Sequence, residues 1–279
     1  VYDFLIRNNY SRDCVIFGIG GGITCDMTGF IASTFLRGVN FVLVPTTLLS
    51  QVDASIGGKT GVNHKGFKNM IGTFNQPVQV IIDTKFLKSL SKLEIQCGLM
   101  EVIKHGLISD KSFFVWLEKN LKQILSLKPQ FIERAIKRSI EIKADVVSKD
   151  EKENGLRAIL NFGHTFGHAL ETIGNNKLYT HGEAVALGML AATKLSESIS
   201  DLDPKVFDRV HSTIKNTGIK VKLKKKIFPK KLIKLMQSDK KKNNSQLKFI
   251  LLEKIGKAKI KSISNEVTIE NAIKNSLFY

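Results

Sequence analysis

Cys14-Val-Ile-Phe-Gly-Ile-Gly20-Gly21-Gly22-Ile-Thr-Cys-Asp26 decides the fold. Its first six residues form an apolar, β-branched run that reads as a buried strand. Glycines then turn the chain, and an apolar helical pattern follows from Thr24 to Phe35. A strand that enters a glycine turn and leaves as a helix opens a βα unit. Backbone amides at such a helix start can cradle a pyrophosphate, and the same glycines can equally be a tight turn. The spacing departs from G-x-G-x-x-G, because the sixth position from Gly18 is Ile23. Asp26 reads either as an acceptor for ribose hydroxyls or as an acid favoured by the positive end of the helix.

Working outward, Phe41-Val-Leu-Val44 is a second strand, closed by Pro45-Thr46-Thr47, and Val78-Gln-Val-Ile-Ile82 is a third, ended by Asp83. Strands separated by helical crossovers call for a parallel sheet. Beyond about Leu90 the period changes to helical: Leu93–Leu107, Asp110–Leu125, Pro129–Val147, Ile159–Ile173, His181–Ser198 and Pro204–Asn216. Pro129 and Pro204 stand where helices begin. Leu247–Leu252 and Lys257–Ile263 read as a hairpin, and Thr268–Leu277 as a closing helix. The fold class is therefore α/β: a Rossmann-like parallel-sheet domain over residues 1–91, followed by a mainly α-helical domain over residues 92–279.

The 279 residues are 43% hydrophobic and 24% charged, an ordinary globular balance. No apolar run approaches the ~18 residues of a membrane-spanning helix, and no secretory signal opens the chain. Three cysteines, Cys14, Cys25 and Cys97, cannot build a disulfide framework, which fits reduced thiols in the cytoplasm. The formal charge is +18, much of it in lysines between Lys215 and Lys261. Such a cluster invites a nucleic-acid reading. It holds no arginine and few aromatics, so a solvated face that attracts anionic metabolites is the preferred reading.

The chemistry-bearing segments lie elsewhere. In Asn161-Phe-Gly-His164-Thr-Phe-Gly-His168 the two histidines share a helix face. His181-Gly-Glu183 opens the next helix, and Glu101 and Lys104 share a face upstream. One carboxylate and two imidazoles suit zinc or a similar ion, with a position left open for substrate. Two helical histidines can also simply bond within a core. Gly57-Gly58-Lys59-Thr60-Gly61 resembles half of a P-loop, but Asp53 stands where the upstream glycine belongs. Continued by Lys68-Asn69-Met-Ile-Gly72, it reads as a glycine-rich loop whose two lysines and asparagine suit a phosphate monoester or a carboxylate. Arg157, after the charged run Asp150 to Glu153, can reach a phosphate bidentately or simply end a charged loop.

Taken as an ordered series, these segments resemble the 3-dehydroquinate synthase family. The series is Gly20-Gly21-Gly22-Ile-Thr-Cys-Asp26, Arg37-Gly, Pro45-Thr-Thr, Val52-Asp53-Ala-Ser-Ile-Gly-Gly-Lys59-Thr-Gly, Lys68-Asn69-Met-Ile-Gly, Glu101-Val-Ile-Lys104, Asn161-Phe-Gly-His164-Thr-Phe-Gly-His168 and His181-Gly-Glu-Ala-Val. The resemblance spans nearly the whole chain. Family members carry further strands and helices ahead of the position of Val1, so it implies a sequence that begins part-way into the fold.

The resemblance implies an enzyme that converts 3-deoxy-D-arabino-heptulosonate 7-phosphate to 3-dehydroquinate and phosphate, using catalytic NAD and Zn2+ or Co2+. It implies Glu101, His164 and His181 as metal ligands. Lys59, Lys104, Glu153, Arg157, Asn161 and His168 become catalytic, with His168 facing substrate rather than metal. Arg37, Asp53, Asn69 and Lys241 become substrate contacts, Arg37 reaching a neighbouring subunit of a homodimer. Gly21, Gly22, Ile23, Thr24, Cys25, Asp26, Thr46, Thr47, Lys59, Lys68, Phe86, Leu87, Lys88 and Ser89 become NAD contacts. Neither a nucleic acid nor a membrane is implied as partner. A related sugar-phosphate cyclase, such as 2-deoxy-scyllo-inosose synthase, is the alternative within the same framework.

Overall fold

The expected βα unit is present: strand β1 (Val15–Gly20) runs into helix α2 (Gly22–Thr34), preceded by a short helix α1 (Tyr2–Arg7). The computed structural model describes residues 1–65, 67–173, 178–240 and 246–277, the side chains of 67–69 and 238–240 lying outside that set. Strand β2 (Asn40–Pro45) pairs in parallel with β1, Val15 opposite Asn40 and Gly20 opposite Pro45. The two-residue strand β5 (Gln79–Val80) pairs in parallel with β2, giving the order β1-β2-β5. Sheet and α2 enclose a small core of Leu5, Cys25, Ile31, Ala32, Phe35, Val39, Phe41 and Leu43.

Two expectations fail in this part. The first strand is buried on one face only: Val15, Phe17 and Ile19 share the exposed face, whereas Ile16 packs on the small core and Gly18 meets Thr28 of α2. The segment from Lys59 to Gly72, taken as a glycine-rich loop, is an antiparallel hairpin of β3 (Lys59–His64) and β4 (Phe67–Phe74). Gly61 and Gly72 face each other across it, and a Cβ on Gly72 would lie 2.1 Å from the Thr60 carbonyl oxygen. Glycine there serves close strand approach rather than a phosphate loop.

The helical part follows the sequence closely. Helices α3 (Lys92–Ser109), α4 (Lys111–Leu125) and α5 (Pro129–Lys149) pack on one another, and Ser91 with Glu94 forms a capping box at the start of α3. The predicted helix over Ile159–Ile173 is broken in two. A 3₁₀ turn (Leu156–Asn161) is separated from α6 (His164–Ile173) by Gly163, whose φ of +81° a non-glycine residue adopts poorly. Helix α7 (His181–Ser200) is buried almost all round from Gly182 to Thr193, as expected of a central helix. Helices α8 (Lys205–Asn216) and α9 (Pro229–Lys240), the hairpin β6 (Leu247–Lys254)–β7 (Lys257–Ile263) and α10 (Glu266–Leu277) complete a large second core around it. The sequence reading passed over α1 and α9. No described helix is long and apolar enough to cross a membrane.

Candidate active site

Three helices converge where the two parts meet. Glu101 and Lys104 lie on α3, His164 and His168 on α6, and His181 is the first residue of α7. The start of α7 is pinned by a second capping box, in which the Thr180 side chain meets the Glu183 amide and the Glu183 carboxylate returns to the Thr180 amide. Lys224 anchors the same carboxylate at 2.7 Å. Close backbone contact sets the spacing of α6 and α7: a Cβ on Gly188 would sit 2.0 Å from the Gly163 carbonyl oxygen.

The result is a buried carboxylate facing two imidazoles. His164 Nε2 lies 3.8 Å and His181 Nε2 3.5 Å from Glu101 Oε1, and the ligand atoms of the three residues fall within 4.8 Å of one another. His168, on the same face of α6 as His164, stays outside that group and is exposed. Each inner imidazole has an acceptor behind it. His164 Nδ1 is 3.3 Å from the Phe162 carbonyl oxygen, and His181 Nδ1 is 3.5 Å from Glu171 Oε1. A ring whose Nδ1 carries its only proton presents the Nε2 lone pair, and an ion bound between the rings would hold both in that form. An acid oxygen and two imidazole nitrogens suit a divalent ion such as zinc or cobalt.

The charges treat the two imidazoles differently. Burial would lower His181, but the Glu101 and Glu171 carboxylates outweigh it and raise the ring to about 9, so an ion bound there would displace its proton. Burial alone would raise the Glu101 carboxyl, but the Lys104 ammonium and the imidazoles of His181 and His164 hold it well below its ordinary range. Burial and the neighbouring Lys104 charge push His164 down to about 3, which keeps it neutral and able to donate its lone pair. Lys104 is itself buried and paired with Glu101.

Beside this cluster lies a band of cations and acids. Lys59, at the start of β3, pairs with Glu153, whose other oxygen accepts from Asn161 Nδ2 at 2.6 Å. Arg157 is 2% exposed and donates to the carbonyl oxygens of Gly57, at 2.9 Å, and Glu151. Asp53 sits in a π-helical turn (Ser50–Ala54), and here the structure adds a residue that sequence reasoning missed. Lys143 of α5 donates to the Asp53 carbonyl at 2.6 Å and to its carboxylate at 2.5 Å. Burial would raise the Asp53 carboxyl, but the Lys143 ammonium outweighs it and leaves the acid below its ordinary value. The signal was present in sequence: Lys143 stands next to Ile142 within the apolar stripe of Ile132, Ala135, Ile136, Ile142 and Val146. A second group, Asp53, Glu101 and His105, also brings its ligand atoms within 4.8 Å, and neither ring nitrogen of the fully buried His105 has a hydrogen-bond partner among the described residues.

The expected nucleotide-binding positions lie in separate places, some of them together. Gly21, Gly22, Ile23 and Thr24 form the start of α2, and the Thr46 amide donates to the Gly20 carbonyl at 2.9 Å, holding Thr46 and Thr47 beside it. Cys25 and Leu87 turn their side chains into the cores, whereas Phe86, Lys88 and Ser89 lie at the surface of a 3₁₀ turn (Thr84–Ser89). Burial and the Asp53 charge raise Asp26 to about 6. Arg37 is exposed after β1 and α2. The side chains of Lys68 and Asn69, and all of Lys241, lie outside the described residues.

Fold and site together define the class: an enzyme with the architecture of the sugar-phosphate cyclases. A 2-epi-5-epi-valiolone synthase from Streptomyces hygroscopicus, solved with NAD+ and Zn2+, superposes with a TM-score of 0.90 at 27% identity, over 98% of this chain and 76% of that one. A 2-deoxy-scyllo-inosose synthase in complex with carbaglucose-6-phosphate, NAD+ and Co2+ superposes with 0.87 at 27% identity, over 99% and 78%. A glycerol dehydrogenase from Schizosaccharomyces pombe, at 17% identity and 0.66, shares the fold. Within the class, the family models of the N-terminal and C-terminal parts of 3-dehydroquinate synthase match residues 1–97 and 98–242. The 3-dehydroquinate synthase of Nitrosomonas europaea is 47% identical over 92% of this chain and 70% of its own length, and that of Idiomarina loihiensis 45% over 97% and 76%. The chain belongs to the 3-dehydroquinate synthase family, and it is a phosphate-eliminating cyclase, a carbon–oxygen lyase.

Proposed function

We propose that this chain carries out the family reaction, 3-deoxy-D-arabino-heptulosonate 7-phosphate to 3-dehydroquinate and phosphate, with NAD at the start of α2 and a divalent ion between Glu101, His164 and His181. The observation that carries the proposal is the convergence of two imidazole Nε2 atoms on the buried Glu101 carboxylate, next to Lys104. When bound, the ion would polarise a carbinol oxygen and the nicotinamide would take up and return hydride, so no net redox results.

The chain's own residues do the rest. The amides at Gly21 and Gly22 open a 13-residue helix, which suits a pyrophosphate. Lys59 and Arg157 offer positive charge to the phosphate and carboxylate of the substrate, and Lys104 to the developing oxyanion. Glu153 holds Lys59 and Asn161 in register through its two carboxylate oxygens. Lys143 orients Asp53, whose carboxylate is available to substrate hydroxyls. His168, exposed one turn beyond His164, would exchange a proton with substrate on the solvent side. Asn69, Lys68 and Lys241 belong to the same proposal.

The division into residues 1–91 and 92–279 is supported by the two separate cores, although Leu48, Val52 and Leu87 pack into the second. A homodimer in which Arg37 reaches a neighbour's site, and a cytoplasmic location in keeping with three free thiols, complete the reading. The lysine-rich end is read as a solvated face and not as a nucleic-acid site.

The test is phosphate release from the seven-carbon substrate. Release that requires NAD, stops with a chelator and leaves no NADH behind is expected. Stoichiometric accumulation of NADH, or release indifferent to chelator, overturns the proposal.

A further inference from the structure

Glu171, the acceptor behind His181, is a buried acid outside the cluster of Glu101, His164 and His181. It lies on α6 seven residues after His164, two turns along the same face, and is 7% exposed. Carboxylates are rarely buried unless they face a donor or a charge. Here Oε1 lies 3.5 Å from His181 Nδ1, on the side of the ring opposite Glu101. The close contact between Gly163 and Gly188 brings α6 and α7 near enough for this reach.

The two imidazoles of the cluster are therefore oriented differently. His164 leans on a backbone carbonyl, which is neutral and common to every residue type. His181 leans on a full negative charge from another helix. Its position as the first residue of α7 gives that charge a task. The positive end of a helix disfavours a strongly electron-donating imidazole, and a carboxylate at Nδ1 restores the donor strength.

We infer that Glu171 is a positioning residue for the metal centre, fixing the Nδ1–H tautomer of His181 and strengthening its Nε2 as a ligand. The inference deepens the metal reading above and rests on it. Glu171 does not reach the reacting atoms. It acts on ion affinity through His181, as carboxylates behind metal-bound histidines do.

The test measures Zn2+ binding by the full chain in competition with a chromophoric chelator, without reference to turnover. Glu171→Gln preserves shape and removes the charge, and is expected to weaken zinc ~10-fold, with Glu171→Ala approaching ~100-fold. In a His181→Ala background the same substitution should change affinity no further, whereas a merely structural role would lower it again. Zinc affinity in Glu171→Gln within about twofold of the unsubstituted chain, with Glu101→Ala having lost zinc, overturns this inference alone. Zinc held equally well by Glu101→Ala overturns the metal reading beneath it. Nitrogen NMR of the unsubstituted zinc-loaded chain needs no variant. A proton on Nδ1 of His181 is expected, and a proton on Nε2 overturns the inference.

Discussion

Lys143 reaches ninety residues back along the chain to Asp53, donating to its backbone carbonyl at 2.6 Å and to its carboxylate at 2.5 Å. One ammonium thereby fixes both the turn that carries Asp53 and the direction of its side chain. The ammonium itself is held down by burial, and the Asp53 charge only partly restores it. Replacing Lys143 with methionine fills the space and leaves a carboxylate without its cation. A loss of ~1–3 kcal/mol in chemical denaturation is expected, with a marked fall in kcat/KM. Adding Asp53→Asn should recover part of the stability and none of the activity. Stability unchanged by Lys143→Met would show that the pair contributes nothing to the fold.

Asp26 gives a pH prediction. Burial first, and the Asp53 charge second, raise it from 3.8 to about 6, Lys143 partly opposing. The folded chain therefore holds this proton more tightly than the unfolded one. Its contribution favours folding below pH 3.8 and is lost as the pH rises through about 6. Asp26→Asn removes that loss. The melting temperature of the variant should match the unsubstituted chain near pH 4 and exceed it at pH 7, with NAD affinity weakened. A gap that narrows with rising pH contradicts the assignment.

Gly182 marks how closely α7 approaches α3. A Cβ there would lie 2.3 Å from the Cys97 Cα, which is backbone and cannot rotate away. Gly182→Ala should cost ~1–3 kcal/mol and displace the neighbouring His181 from Glu101, so that zinc binding weakens together with stability. Zinc titration paired with urea unfolding reads both. Loss of stability at constant zinc affinity would mean that the helices separate without disturbing the cluster.

Arg157 is committed at both ends of its guanidinium, to the Gly57 and Glu151 carbonyl oxygens. Lysine supplies charge but not the planar fork. Arg157→Lys is expected to lower kcat/KM by ~10–100-fold, chiefly through KM for the phosphorylated substrate. An unaltered KM would remove Arg157 from the anion site.

Much of the architecture was legible because it rests on local rules. The glycine turn into α2, the proline at the start of α5 and the helix opening at His181 are short-range signals, and each lies where the sequence put it. The Ile159–Ile173 stretch misled because its apolar period continues across Gly163, and only the left-handed backbone there breaks the helix. The edge strand misled for another reason. Val15, Phe17 and Ile19 are as apolar as a buried strand requires, but burial depends on what lies against them.

The sequence by itself determined the family, the order of most of the longer elements and the residue types available for chemistry, since these reside in spacing along one dimension. The tertiary structure decided which of them meet. The two histidines four residues apart share a face, but it is His181, from another helix, that turns its Nε2 toward Glu101 beside His164. Lys143 and Glu171 carry no motif at all, and each gains its meaning from an acid or imidazole brought from far along the chain. Charge interactions strengthen where water is excluded, and exclusion is a property of packing that no local pattern records.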